Sequence, residues 1–406
     1  MTKTAKAAII AAVAASVALA GCGTRDESNS AGGDTVEKKV VTIGTISPLT
    51  GDLSAVGSGI RNGVDLAVKQ ANASDAIPGW EIKIEPMDDE AKPDTGKNAA
   101  TKLAADDTVI AVVGTMNSSV AQPVAPVLNA ADISMVSPAN TSPALTKGAD
   151  LNAPVRQNKS FFRLCASDDK QGPFAADYLL EQGIKKVATI HDKKVYGQGL
   201  VEEFTKAFTA GGGEIVAAET INPEDKDYNT VISKVKSASP EAIYYGGEYP
   251  QAGPLSQQAK AAGLKIPLMG GDGLYDAAYI ELAGKDAAEG DLTTSVGAPV
   301  DSLESAKAFA EAYAAGGYAE GIGPYGAYSY DAANVIISAL KTTLASATDA
   351  KSARAATVDA IQSFTTTTAA TGDISFDEFG DNTNQVMTVY KVEGGEWKAA
   401  YTGTAM

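Results

Sequence analysis

A chain of 406 residues, 44% of them hydrophobic and 20% charged, is long enough for two lobes that each bury a core of their own. A formal net charge of −17 sets it against phosphate backbones, so nucleic acid is not an expected partner. One histidine (His191) and two cysteines (Cys22 and Cys165) leave too little material for a multi-histidine metal centre or a disulfide-stapled scaffold.

In chain order, the first feature is a leader. Lys3 and Lys6 precede an apolar stretch, Ala7–Ala20, that closes in Leu19-Ala20-Gly21-Cys22. A basic start, an apolar run and small residues at the cut make residues 1–21 a secretory signal peptide. The run is shorter than the ~20 residues a membrane span needs. The cysteine at the cut resembles the lipobox of bacterial lipoproteins, which implies lipidation of the Cys22 thiol and a chain anchored outside the cytoplasmic membrane. The plain alternative is an ordinary signal peptide with a chance cysteine. Residues 22–39 follow as a polar tether, with Gly, Ser, Asn, Asp and Glu over most of Arg25–Lys39. With Cys22 lipidated, Cys165 has no disulfide partner and the exported body depends on its core.

Strand and helix signals then alternate. Val40–Ile46 is a β-branched run, and Gly59–Asn72 has apolar residues at helical spacing (Ile60, Val64, Ala67, Val68, Ala71). Glu81–Glu85 reads as strand, Ala99–Ala105 as helix, Val109–Val113 as buried strand, Val120–Ala130 as helix and Ile133–Val136 as extended. The series resumes with strand Lys186–Ile190, helix Gly199–Ala210, strand Gly213–Glu219 and helix Tyr228–Lys236. Strand Ala242–Tyr245, helix Pro250–Ala262 and strand Pro267–Met269 complete it. Such alternation means parallel sheets covered by helices on both faces. Helices at Ser302–Ala314, Tyr328–Leu344 and Ala353–Phe364 precede strands at Asp373–Phe376, Val386–Val392 and Trp397–Tyr401. These are too few for a third domain, so they are expected to return to both lobes. The fold class is therefore α/β: two doubly wound parallel-sheet lobes joined by a multi-crossing hinge. Residues 40–165 with about 296–375 form lobe 1, and 166–295 with about 376–406 form lobe 2.

The chain offers little catalytic material. A triad would have to be built around His191, and no nucleophile elbow or P-loop is present. Gly321-Ile322-Gly323-Pro324-Tyr325-Gly326 matches G-x-G-x-x-G only formally, since it follows a helix and contains a proline. No catalytic residue, metal or cofactor is assigned.

Ligands of open α/β sheets bind at the carboxyl ends of strands, and four segments stand there. Val113-Gly114-Thr115-Met116-Asn117-Ser118-Ser119 leads from a strand into a helix start that attracts a carboxylate, although taken alone Ser118 reads first as an N-cap. Ser137-Pro138-Ala139-Asn140-Thr141-Ser142-Pro143 is an extended loop that presents the Ala139 carbonyl and the Thr141 hydroxyl, or is only a stiff connection. His191–Gly199 places Tyr196 to cover a ligand or merely to pack at its helix start. Tyr244–Pro250 and Met269–Leu274 each put an acid, Glu248 and Asp272, after a glycine pair; each is a ligand-pairing carboxylate or a solvated turn acid.

Taken together these loops resemble the leucine/isoleucine/valine-binding proteins of branched-chain amino acid ABC transporters, which are type I periplasmic binding proteins. The resemblance covers nearly all of Val40–Trp397. Its most specific pieces are residues 113–119, 137–141, 169–173 (Asp-Lys-Gln-Gly-Pro), 191–199 and 244–247 (Tyr-Tyr-Gly-Gly). It implies that Ser118 and Thr141 hold the ligand's α-carboxylate. It implies that the Ala139 carbonyl, Thr141 and Asp272 meet the α-ammonium, and that Tyr196 closes over the ligand. Met116, Val56 and Tyr325 match positions near the side-chain pocket. Asp272 is one methylene shorter than the glutamate usual there, and Glu248 stands where relatives have an aromatic residue. A second acid implies an extra cation or donor on the ligand, or a bridging water. Val56 replaces an aromatic residue and implies a larger pocket. Ala91 and Asn117 stand where some relatives have a disulfide.

The resulting expectation is a monomeric extracytoplasmic solute-binding protein, not an enzyme, that captures an amino acid, first of all leucine, isoleucine or valine, in an interlobe cleft and delivers it to a membrane permease. The alternatives are a binding protein for another small solute (a polar amino acid, an amide, urea or an aromatic acid) and a sensory ligand-binding lipoprotein.

Overall fold

The computed structural model describes residues 38–405. The signal peptide, Cys22 and all but the last two residues of the tether lie outside the described residues. Among the described residues no helix is long and apolar enough to cross a membrane.

The first sheet takes its strands from the first half of the chain: β1 (Lys39–Ser47), β2 (Trp80–Asp88), β3 (Val109–Gly114), β4 (Ser134–Ser137) and β5 (Phe161–Arg163). Their spatial order is β2-β1-β3-β4-β5, and every pairing is parallel. β3, Val-Ile-Ala-Val-Val-Gly, is buried along its whole length, as a central parallel strand covered on both faces must be. Helices α1 (Ser54–Ala73), α2 (Pro93–Ala105), α3 (Ser118–Ala130) and the single turn α4 (Ala144–Lys147) connect these strands.

The second sheet begins after α5 (Asp168–Glu181). It contains β6 (Lys186–His191), β7 (Glu214–Thr220), β8 (Ala242–Gly246), β9 (Leu268–Gly270) and β10 (Leu292–Ser295), connected by α6 (Val195–Ala210), α7 (Asn229–Ser237), α8 (Tyr249–Ala261), α9 (Ala277–Ala283) and α10 (Lys285–Ala288). Helices α11 (Lys307–Ala315), α12 (Gly326–Thr343) and α13 (Arg354–Gln362) then return to the first sheet. A separate hairpin follows, β11 (Thr365–Ala369) and β12 (Gly372–Ser375). β13 (Met387–Glu393) and β14 (Glu396–Gly403) extend the second sheet, whose order is β14-β13-β10-β9-β8-β6-β7. The chain therefore passes between the sheets three times, after β5, after β10 and after β12. The second sheet is mixed: β13 runs antiparallel to β10 and to β14, while the rest is parallel.

The sequence pattern missed several elements for identifiable reasons. β10 is only Leu-Thr-Thr-Ser and has no apolar run, yet three of its four residues are buried because it lies between β9 and β13. α5 carries Gly172 and Pro173 in its interior, which normally weakens a helix. Here Gly172 is needed, because a Cβ there would stand 2.6 Å from the Phe204 nitrogen of α6. β5 is three residues long, and α9 sits in a turn-rich stretch. α1 and α12 lie along each other on the first sheet, and at Gly63 a Cβ would approach the Gly326 carbonyl to 2.3 Å. That approach fixes the start of α12 and, with it, Tyr325.

Candidate functional site

The carboxyl ends of β3, β4, β6, β8 and β9 converge on one small, tightly closed cavity. Met116, Asn117, Ser118 and Ala139 line it from the first sheet; Tyr196, Glu248, Asp272 and Gly273 line it from the second, and Tyr325 joins them from the start of α12.

The first wall is a stitched pair of loops. The Ser137 hydroxyl accepts hydrogen bonds from the Ala139 and Asn140 N–H groups (3.2 and 2.8 Å) and donates to the Thr115 carbonyl (3.2 Å). The Asn140 amide donates to the Met116 carbonyl at 2.9 Å. Ser118 is not the N-cap of α3. Asn117 holds that position without capping, and the Ser118 hydroxyl accepts from the Ser142 N–H at 3.3 Å. The free N–H groups of the first turn of α3 remain, and they favour an anion. Thr141 is buried in the same loop near Asp168 and is not among the residues that line the cavity.

The second wall centres on Asp272, which is 3% exposed. Its Oδ1 accepts from the Tyr196 hydroxyl (2.8 Å) and the Gln171 amide (3.0 Å), and its Oδ2 accepts from the Tyr325 hydroxyl (2.7 Å). Gln171 spends all of its hydrogen-bonding capacity here. Its Oε1 takes the Asp272 N–H (2.8 Å) and the Thr294 hydroxyl (2.6 Å), and its amide also donates to Asp168 (3.0 Å). Tyr196 is held in turn by the Gly273 N–H, which donates to its hydroxyl at 3.0 Å. Burial raises the pKa of Asp272, and the Tyr325, Gln171 and Tyr196 bonds oppose that rise. Burial and then the neighbouring Asp272 push Asp168 well above the ordinary carboxylate range. Among the described residues Asp272 forms no ion pair.

Glu248, 4% exposed, has different company. The Lys194 ammonium, at the N-cap of α6, lies 2.5 Å from its Oε2, and the Asn117 amide donates to its Oε1 at 2.5 Å. Lys194 also stands 3.8 Å from the buried Asp192. Burial alone would lower the Lys194 pKa; the Glu248 and Asp192 carboxylates overcome that and hold it above its usual value. Burial, then Glu248, raises Asp192. Gly197 and Gly246 bring these loops together, since a Cβ on either would meet the other's carbonyl oxygen at 2.4 or 2.0 Å.

The structure thus brings Ser118, Ala139, Tyr196, Asp272, Glu248, Met116 and Tyr325 around one cavity. It places Val56 elsewhere, in a neighbouring cleft with Tyr275, Pro324 and Trp397. Sequence reasoning missed Gln171, Lys194 and Asn117 as site residues. Gln171 was visible only as part of the Asp169–Pro173 piece, and Lys194 stood unremarked inside the 191–199 loop. Among the described residues no three His, Cys, Asp or Glu side chains are grouped to hold a metal ion. Cys165 is buried, and its burial raises the thiol pKa, the reverse of nucleophile activation.

Comparison with known proteins agrees with this fold. The periplasmic binding protein family model matches residues 40–396. The Leu/Ile/Val-binding protein BraC3 of Rhizobium johnstonii is 34% identical over 361 residues, spanning 89% of this chain and 94% of the relative. Two solved structures share the fold. The leucine-binding protein LivK of Thermotoga maritima has a TM-score of 0.79 and 28% identity, covering 89% of this chain and 98% of that one. The branched-chain amino acid transporter substrate-binding protein LivJ of Streptococcus pneumoniae, in complex with isoleucine, has a TM-score of 0.80 and 27% identity, covering 90% and 100%.

Proposed function

The chain belongs to the periplasmic binding protein family, and we propose that it captures leucine, isoleucine or valine between its two sheets as the extracytoplasmic solute-binding component of an ABC importer. One observation carries this reading. Asp272 is a buried carboxylate with no cationic partner among the described residues, and it lines the cavity where the strand ends of the two sheets meet. An ionised carboxylate offers about four lone-pair sites, and three are taken by Tyr196, Gln171 and Tyr325. The α-ammonium of an amino acid supplies both the missing hydrogen bond and the missing charge, with the Ala139 carbonyl as a second acceptor. The α-carboxylate goes to the first turn of α3 and the Ser118 hydroxyl. Met116, Tyr196 and Tyr325 enclose the rest. Thr141 and Val56 do not line the cavity and are left out of the assigned contacts. Glu248 carries its own counter-ion, which favours a ligand without a second cation.

Such a ligand touches both sheets at once. Its contacts are complete only when the lobes are closed, and that difference drives closure about the three crossings. The closed form is the one presented to the permease. The Leu19–Cys22 sequence supports a lipid anchor on Cys22. A Cys22→Ser chain is then expected to leave the membrane fraction, and retention there would overturn the anchor.

The functional test is calorimetry on protein unfolded and refolded to strip carried-over ligand. Leucine, isoleucine and valine are titrated beside polar and cationic amino acids, urea, short amides and aromatic acids. Tight binding confined to the branched-chain set is expected. Binding of a control compound, with silence for every amino acid, would overturn the ligand class.

A further inference from the structure

Two successive residues of the second sheet, Glu248 at the N-cap of α8 and Tyr249 at its first position, reach across to the first sheet. The Glu248 Oε1 accepts from the Asn117 amide at 2.5 Å, and the Tyr249 hydroxyl donates to the Asp52 carbonyl at 2.7 Å. Asn117 belongs to the N-cap of α3 and Asp52 to the turn before α1. Neither bond uses a group assigned to the ligand. The Glu248 charge is already balanced within its own lobe by Lys194, so closing the cleft over it does not bury a net charge. The Asn117 Oδ1 is buried without a partner, so this amide is held at the site by its donor side alone.

We propose that Asn117 and Glu248, seated on Lys194, form a latch between the lobes that stabilises closure independently of the ligand. The pair sets the affinity for every ligand by a common factor and does not choose among them. This inference rests on the reading of the cleft as a closing ligand site. A closed state made less favourable lowers every apparent affinity in the same proportion.

The test exchanges the two ends of the bond. Asn117→Asp puts two carboxylates face to face and is expected to raise the Kd for leucine, isoleucine and valine alike by ~10-fold or more, the size of one charge-assisted hydrogen bond. In the N117D/E248Q pair the amide and the carboxylate trade places, and most of that loss should be recovered. Direct repulsion of the ligand's carboxylate by a charge at position 117 would survive in the pair, so recovery isolates the latch. Glu248→Gln keeps the side-chain size and controls for misfolding; it should fold and bind with a smaller, equally uniform loss. Affinities unchanged by Asn117→Asp, losses that differ between the three amino acids by more than about threefold, or no recovery in the pair would each overturn the proposal. If wild-type protein binds none of the three, the ligand assignment fails separately. Small-angle scattering of the unliganded chains then tests the latch: a more open Asn117→Asp protein supports it, and identical profiles overturn it.

Discussion

Asp272 and Glu248 have the same local chemistry and opposite surroundings. Each follows a glycine pair at the end of a strand of the second sheet, Gly270-Gly271 after β9 and Gly246-Gly247 after β8. Each is almost wholly buried and lines the same cavity. Around Asp272 the fold gathers neutral donors from two tyrosines and a glutamine. Around Glu248 it brings a lysine. The first arrangement stabilises a carboxylate without neutralising it and leaves a place for a cation from outside. The second closes its own charge balance and is free to serve as a mechanical contact. In the proposed reading, what separates a receptor from a strut is one partner from α6, not the acid or its turn.

The contrast can be broken at either end. The largest effect is expected from Asp272→Asn, which keeps the shape and removes the charge. Leucine, isoleucine and valine affinity should fall by at least ~100-fold, since breaking a buried charge pair costs about 3–5 kcal/mol. The ligand-free thermal midpoint should hold or rise, because a buried uncompensated anion is removed. Unchanged calorimetric affinity would place the ammonium elsewhere. Lys194→Met is the converse experiment. It strands Glu248 and Asp192 together, and urea unfolding should show a loss of about 3 kcal/mol, at the low end for a buried pair because the Lys194 side chain is 25% exposed. An unchanged midpoint would put Glu248 in the same class as Asp272.

A smaller effect separates the two roles by pH. Burial holds the Asp89 carboxyl up at about 7 and Asp331 at about 6, and raises Asp192 and Asp272 as well. A carboxyl whose folded pKa is raised favours the folded state while protonated. That contribution is full below its unfolded value near ~4 and is lost as pH rises through the folded value. Ligand-free stability should therefore increase from about pH 7 to about pH 5. Amino-acid affinity should move the other way, weakening as the pH is lowered, because the ammonium requires Asp272 ionised and burial raises the pKa of that carboxyl. Melting curves with and without leucine check both signs, and parallel behaviour of the two would deny Asp272 its role.

The same contrast shows what a sequence discloses. The buried run of β3 and the helical spacing of α1 are legible because burial on a parallel sheet and a 3.6-residue period leave direct marks. The strand-end loops are legible because glycines, prolines and hydroxyls cluster where the backbone turns. β10 is not, because its burial comes from its neighbours and not from its own residues. The partners of the two acids are equally hidden. Gln171 lies 101 residues from Asp272, Lys194 lies 54 from Glu248, and Asn117 lies 131 from it. Two like turns therefore read alike until the fold assigns their neighbours. Val56, matched by resemblance to the side-chain pocket, is set by the path of α1 into the adjacent cleft.

The central claim is that Asp272 awaits an external ammonium. The most direct measurement is calorimetry of the refolded wild-type protein with leucine and with 4-methylpentanoate, which keeps the carboxylate and the branched chain and lacks only the amino group. The account predicts tight leucine binding and a loss of at least ~100-fold for the analogue, the penalty of leaving the buried carboxylate unpaired. Comparable affinity for both compounds would contradict it.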